Sequence, residues 1–303
     1  MTDLPAPTPA TADRDRKLRS WTRWLRRNPF SIAAAVLLSA IVAVALFAPW
    51  ITMQNPHDPA DLNLLNSLLP PGSVGIDGQT FWLGTDDQGR DIASAIAYGL
   101  RISLTVAVTS SVVAIVIGTM IGLLSAFVGG RLDALLMRIV DIQLSFPAVL
   151  IALVLVALLG RGVDKTIIAL IVVQWAYYAR TVRSVALSEK RREYIEAAYV
   201  LGFDRWTILT RHLLPNCLAP VTVVAAAQIG GAISLEATLS FLGLGVPVTQ
   251  PSLGLLIANG FQFMFSGRYW VSFGPGIALL LLVVAINILA ERLREYMNPR
   301  SRR

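Results

Sequence analysis

The chain is poor in charge, cysteine, histidine and lysine. Asp, Glu, Lys and Arg make up 15% of its 303 residues, where a soluble domain carries about a quarter. A single cysteine, Cys217, excludes an internal disulfide and any cluster of thiolate metal ligands; beside Pro215 it reads as a small apolar packing residue. His57 and His212 are the only histidines, and neither stands in a pattern with a nucleophile or metal ligands, so no catalytic residue and no metal is expected. The three lysines, Lys17, Lys165 and Lys190, never follow a glycine. The glycine-rich phosphate loop G-x-x-x-x-G-K-[ST] is therefore absent, and the chain cannot hold ATP by that device. No cofactor is expected in the chain itself. Any energy-driven work by this chain must draw on another subunit or on an ion gradient.

In place of charge there are long apolar blocks. The composition is 55% hydrophobic with mean hydropathy +0.62. Blocks of about 20 apolar residues cross a bilayer as helices. Six are present, at 30–51, 103–128, 135–159, 166–187, 217–243 and 275–293, giving an all-α polytopic membrane protein. The fourth is the least clean, because Gln174, Tyr177, Tyr178, Arg180 and Arg183 enter its second half. It is expected to face other protein and run into the cytoplasm. The first could be taken for a secretion signal, since basic residues precede it and Ala43-Val44-Ala45 imitates a cleavage site. Its apolar run continues to Ile51, longer than a signal core, which favours an uncleaved anchor.

The net charge of +7 follows the apolar blocks, with no basic patch interleaved with stacking aromatics, so no nucleic-acid partner is expected. Basic residues mark the cytoplasmic side. Arg14 to Arg27 flank the first block and Arg292 to Arg303 the last, which puts both termini inside and requires an even number of spans. The acidic 52–100 loop and the 244–274 loop then fall outside, while the 129–134 turn and the basic 188–216 loop fall inside. Residues 1–13, rich in Pro, Ala and Thr, read as disordered.

Inside the spans, Ser110, Ala114, Gly118, Gly122 and Ala126 recur every four residues. Such a small-residue stripe lets helix backbones approach closely in lipid, within this chain or against a partner. Glu236 lies in the middle of the fifth span. An ionised carboxylate facing lipid costs on the order of a few kcal/mol, so it faces protein, water or a pathway, or is protonated. It is either satisfied by a neighbouring helix or lines the route of a solute, with Ser240 one turn away and Gln228 two turns before as companions on the same face. Asn287 reads as interhelical glue, and Asp141 as a local partner of Arg138.

Between the fourth and fifth spans runs Glu193-Tyr-Ile-Glu196-Ala197-Ala198-Tyr-Val-Leu-Gly202, followed by Leu214-Pro215. Glu193 to Gly202 reads as a short helix. Glu193 and Glu196 complement its dipole and Gly202 terminates it. Ala197 and Ala198 offer a smooth surface to another protein, and Ile195, Tyr199 and Leu201 add apolar grip. A helix lying on lipid headgroups beside Lys190–Arg192 is the alternative on physical grounds alone.

The spacing E-A-A-x-x-x-G, then Leu-Pro twelve residues on, resembles the coupling loop of ATP-binding-cassette importer permeases. His212 stands where that motif usually has an apolar residue, but Arg211-His-Leu-Leu-Pro215-Asn216 is similar to the form in the peptide and nickel branch. Leu83-Gly84-Thr85-Asp86-Asp87-Gln88-Gly89-Arg90-Asp91 resembles that branch's external signature, as do Leu235 to Gly245 in the fifth span and the ending Asn298-Pro299-Arg300.

The resemblance implies the C-type permease subunit of a dipeptide, oligopeptide or nickel importer with the type I importer fold, in a bacterial or archaeal inner membrane. The implied organisation is a cytoplasmic tail at 1–28, a peripheral helix at 29–51, an extracytoplasmic loop at 52–100, a five-helix core at 101–295 holding the coupling loop 188–216, and a tail at 296–303. Glu196, Ala197, Ala198, Gly202, Leu214 and Pro215 would engage an ATPase. Gly84, Thr85, Asp86, Gly89, Arg90 and Asp91 would form part of an external scoop, contact a binding protein, or cap the start of the second span. The implied partners are a second similar permease, two cytoplasmic ATP-binding subunits that hold the ATP and Mg, an extracytoplasmic solute-binding protein, and membrane lipid. Peptides are the favoured solute; nickel chelates, some sugars and opines stay open. An ion-coupled secondary transporter is the rival class. It would want inverted repeats and several intramembrane ionisable groups, whereas Glu236 is the one clear candidate.

Overall fold

The computed structural model describes residues 29–58, 61–247 and 249–297. The expected terminal tails fall almost entirely outside that range, as does the Asn298-Pro299-Arg300 ending. The first helix, α1 (Pro29–Ile51), is apolar throughout and buries one narrow face through Ser31, Ala34, Ile41, Ala45 and Ala48. That face rests on α2 (Ile92–Val128) and on the last helix, α10 (Trp270–Met297), which leaves α1 at the periphery.

Between α1 and α2 the chain is not helical. Strands β1 (Ser73–Val74) and β2 (Thr80–Phe81) pair antiparallel, with Ser73 opposite Phe81. This small hairpin departs from the all-α expectation. The expected loop to residue 100 also ends sooner. The Asp91 side chain accepts from the backbone N–H groups of Ala93 and Ser94, an N-cap that starts α2 eleven residues before the apolar block. At 37 residues, α2 is about 55 Å long and stands well clear of a bilayer core.

The expected third span, 135–159, is broken. Helices α3 (Gly130–Ser145) and α4 (Ala148–Leu159) meet at 92°. Pro147 cannot continue a helix and its ring drives the preceding residue out of the helical region. Phe146 accordingly sits at φ −95°, ψ 144°. The next helix, α5 (Val163–Glu189), is the central one. It packs along α2 and also meets α4 and α8 (Leu214–Phe241).

Four of these helices are long and apolar enough to cross a membrane, namely α1, α2, the helix ending in α8, and α10; the bent pair α3–α4 makes a fifth if it counts as one span. α5 is long enough, but its polar second half excludes it on composition. The fifth predicted span also starts earlier than expected. A short helix α7 (Arg205–Thr207) and a π-helical turn (Ile208–Leu213) lead into α8 without interruption. Leu214-Pro215 therefore lies within a continuous helix rather than restarting one. Pro215 has no N–H to donate to the preceding turn, and the widened turn stands directly before it. The expected 244–274 loop contains a further helix, α9 (Leu253–Phe261), capped by the Ser252 side chain.

The C-terminal part of α5 is held to α2 and α3 by charge. Arg183 binds both oxygens of Asp133 at 2.5 and 2.7 Å, and Ser125 donates to the same carboxylate. Asp141 pairs with Arg180 of α5, not with Arg138 as expected, because α3 lies alongside α5. Lys190 donates to the carbonyls of Ala126 (2.9 Å) and Phe127 (3.2 Å), the C-terminal turn of α2, where a cation complements the helix dipole.

Candidate functional site

The segment expected to couple to an ATPase folds as α6 (Glu193–Val200). Gly202 follows at φ +77°, a conformation glycine adopts without strain. Helical spacing sends Ile195 and Ala198, three residues apart, to one face, and both are buried, at 0% and 3% exposed. They pack into a core with Tyr178, Val182 and Ala186 of α5, and with Ile208, Leu213, Cys217 and Val221 of the helix leading through α8. Burying Ile195 alone contributes about 1.5–3 kcal/mol. This corrects two expectations. Ile195 and Ala198 anchor α6 to its own subunit and offer nothing to a partner, because helical periodicity turns them inward.

The opposite face carries Glu193, Glu196, Ala197 and Tyr199, with Val200 87%, Leu201 75% and Trp206 73% exposed. Apolar residues this exposed and this close together mark an interaction surface. Val200 and Trp206 extend the surface beyond the residues singled out in the sequence. Leu214 is half-buried against the α6 core.

Tyr194 ties this helix to both neighbours. Its hydroxyl donates to Glu189 at the end of α5 (2.7 Å) and accepts from the Asn216 amide of α8 (3.1 Å). Arg192 completes the cluster at 3.0 Å from Glu189. Burial and the bond to Glu189 push the Tyr194 phenol up to about 12.

A cavity of about 270 Å³ opens between the start of α4, the middle of α5 and the stretch of α8 from Gln228 to Thr238. Its polar lining is Gln174 and Tyr177 of α5, and Gln228, Ser234 and Thr238 of α8. Glu236 does not reach it. Eight helical residues separate it from Gln228, a rotation of about 80°; Gln228 lines the cavity, while Glu236 turns toward α2. Glu236 is fully buried toward α2. Ser103 donates to one of its oxygens at 2.7 Å, and Ser240, also buried, to the other at 2.8 Å. Asn287 faces Gly230 of α8. The sequence signal for the cavity was the Gln174-x-x-Tyr177 pair in an apolar helix, noted only as a blemish in the span.

The small-residue stripe of α2 is buried along its whole length. A Cβ added at Gly118 would stand 2.5 Å from the Trp175 carbonyl oxygen, and one at Gly122 would stand 2.5 Å from that of Ala179. The stripe is where α5 lies against α2 backbone to backbone.

The 84–91 segment is a folded node. Thr85 donates to the Asn66 carbonyl at 2.5 Å and accepts from Leu69 N–H at 2.8 Å. Asp86 accepts from the backbone N–H groups of Gln88 and Arg90 and pairs with the Arg90 side chain at 2.7 Å. The Gln54 side chain accepts from Asp91 N–H at 2.7 Å. Gly84 and Gly89 both have positive φ, and a Cβ on either would overlap a backbone carbonyl oxygen, of Leu69 or Asn63. Burial and the neighbouring Asp86 carboxylate push the Asp87 carboxyl above its ordinary range. Among the described residues no three His, Cys, Asp or Glu side chains are grouped to hold a metal ion.

Comparison with known proteins concerns the chain as a whole. Residues 118–303 match the family model described as binding-protein-dependent transport system inner membrane component. Residues 18–71 match the N-terminal TM domain of oligopeptide transport permease C. The probable D,D-dipeptide transport system permease protein of Escherichia coli is 34% identical over 91% of this chain and 90% of its own length. A dipeptide transport system permease protein of Haemophilus influenzae is 32% identical over 97% of this chain and 98% of its own. Among solved structures, a chain of the MetNI methionine ABC transporter in an inward-facing conformation superposes with TM-score 0.55 at 22% identity, covering 67% of this chain and 96% of that one. That likeness concerns the fold.

Proposed function

This chain belongs to the binding-protein-dependent transport system inner membrane components, and we propose that it forms one half of a peptide pathway worked by ATPases outside its own sequence. It is a permease subunit of an ATP-binding-cassette importer, and its relatives are permeases of dipeptide and other peptide transport systems. Six spans serve this role: α1, α2, the bent pair α3–α4, α5, α8 and α10. α5 buries Gln174 and Tyr178 against its neighbours and leaves Tyr177 and Arg180 exposed. Both termini and α6 lie in the cytoplasm of a bacterium or archaeon, and the 52–91 region lies outside. A second, similar permease completes the pathway. Two cytoplasmic subunits bind and hydrolyse ATP with Mg, and an extracytoplasmic binding protein delivers the peptide to the external face that the 84–91 node shapes.

The observation that carries this reading is the two-faced character of α6. Its exposed face presents Glu196, Ala197, Val200 and Leu201, while Ile195 and Ala198 are sunk in a core shared by α5 and α8. A displacement imposed on the exposed face must therefore move both membrane helices with it. ATP binding, by closing the ATPase pair, would drive α6 and open the pathway outward; hydrolysis would return it. Gln228 stands on the pathway side of α8, whereas Glu236, bonded to Ser103, ties α8 to α2 behind it.

Val200→Asp, Glu196→Lys and Gly202→Asp should each lower peptide uptake by an order of magnitude or more while the chain still inserts at its normal level, since a buried unpaired charge at an interface core costs about 2 kcal/mol or more. Uptake at the wild-type rate by all three, with the ATPases present, would remove α6 as the coupling element.

A further inference from the structure

We propose that Gln228, together with the Tyr177 phenol, engages the backbone of a peptide at the membrane midplane, and that the absence of ionised groups there leaves the pathway indifferent to side-chain charge. This rests on the reading of the chain as a peptide permease. It concerns what the pathway recognises.

Position comes first. Gln228 lies near the middle of α8 and Tyr177 near the middle of α5, and both line the cavity between those helices. Transporter sites tend to lie at that depth. Availability narrows the lining further. Gln174 is already occupied, accepting from Ser111 at 3.0 Å and donating to Ser110 at 3.3 Å. The hydroxyls of Ser234 and Thr238 donate to carbonyls of their own helix, at 3.1 and 2.8 Å. Among the described residues, the Gln228 carboxamide and the Tyr177 hydroxyl have no hydrogen-bond partner.

A carboxamide offers an N–H donor and a C=O acceptor side by side, the same pair that a peptide bond offers. The two can exchange two hydrogen bonds without any charge, and the phenol adds one donor or acceptor. Every peptide has this backbone, whatever its side chains.

Charge has been taken out of the site. Glu236 is closed off by Ser103 and Ser240 against α2. Arg180 and Arg183 of α5 are paired with Asp141 and Asp133 of α3. The third wall, α4, has no ionisable residue. Nothing in the lining attracts a lysine side chain over a glutamate, or the reverse.

The test gives the midplane a charge of known sign. The assembled transporter, with its ATPases and binding protein, is reconstituted in liposomes, and uptake is measured at saturating Ala-Ala-Ala, Ala-Lys-Ala and Ala-Glu-Ala. The wild type should move the three within about threefold of one another, because no fixed charge biases them. Gln228→Lys should slow Ala-Lys-Ala about tenfold relative to Ala-Ala-Ala, and Gln228→Glu should do the same to Ala-Glu-Ala, the scale of a like-charge contact in a partly dry site. Gln228→Leu should slow all three alike. Unchanged peptide ratios in both charged variants would overturn the proposal. If the lysine variant does not insert, the glutamate variant decides alone, by the sign of its preference. Val200→Asp is run alongside. If it abolishes uptake while the Gln228 variants keep wild-type ratios, only the midplane assignment has failed. If it transports normally, the underlying permease mechanism has failed instead.

Discussion

At the scale of single residues, Tyr194 is where three elements meet, and its hydroxyl bonds to two of them from the third. Tyr194→Phe keeps the ring and removes the bonds to Glu189 and Asn216. The stability cost should be small, about 1 kcal/mol for such bonds at a partly exposed site. The functional cost should be larger, because α6 could then slide against α5 and α8. The expected result is near-normal ATP hydrolysis with less peptide moved per ATP. A merely structural role would lower both in proportion to the protein lost. The pH dependence follows from the phenol's raised value, from 10 to about 12. The protonated form is favoured by folding, so the contribution is complete below pH 10 and lost as pH rises toward 12. Transport per ATP in the wild type should thus be independent of this group through neutral pH. The sequence could not show the cluster. Its members lie 5 and 22 residues apart, and they meet only because the chain turns sharply on both sides of α6. The motif residues were legible, but their direction was not: Ala198 reads as surface in the motif and is core in the fold.

Among the elements, the α2–α5 contact decides whether the core assembles. Gly118 and Gly122 touch the α5 backbone, and backbone does not yield as a flexible side chain would. Gly118→Ala and Gly122→Ala should each destabilise the chain by about 1–3 kcal/mol through overpacking, despite alanine's better helix propensity. Gly276→Ala in α10 meets nothing within 4 Å and should be neutral or slightly stabilising. Thermal unfolding in detergent compares the three directly; equal midpoints would mean that α2 and α5 are not in backbone contact. The period-four stripe was readable because it is a local regularity, while its partner helix was not. Breaks were harder to read than spans. Hydropathy runs unbroken across Phe146-Pro147, so one span was expected where the proline produces two helices. The charged stretch from Arg205 hid a helix that continues into the membrane, and α9 was lost in what counted as a loop, although Ser252 before an apolar run is a helix start.

Across the whole molecule, α2 links the two ends of the mechanism. Its N-terminus is capped by Asp91 within the 84–91 node, and its C-terminal carbonyls are held by Lys190, three residues before α6. A single rigid helix thus joins the face proposed to receive the binding protein to the face proposed to meet the ATPases. That arrangement works only if the two faces lie on opposite sides of the membrane, which charge distribution alone implied from the sequence. The chain provides a clean way to check it. Cys217, the one native cysteine, is fully buried, so it gives little background to a thiol reagent. Gln79 is exposed beside β2 in the region proposed to lie outside, and Leu201 is 75% exposed at the end of α6. In intact cells a membrane-impermeant maleimide should label Gln79→Cys and spare Leu201→Cys. Permeabilised cells should label both, and coexpressed ATPases should protect the cysteine at position 201 as they cover α6. Labelling at position 201 from outside would invert the topology and with it the direction of transport. Failure of the ATPases to protect that position would leave the exposed face of α6 without its proposed partner.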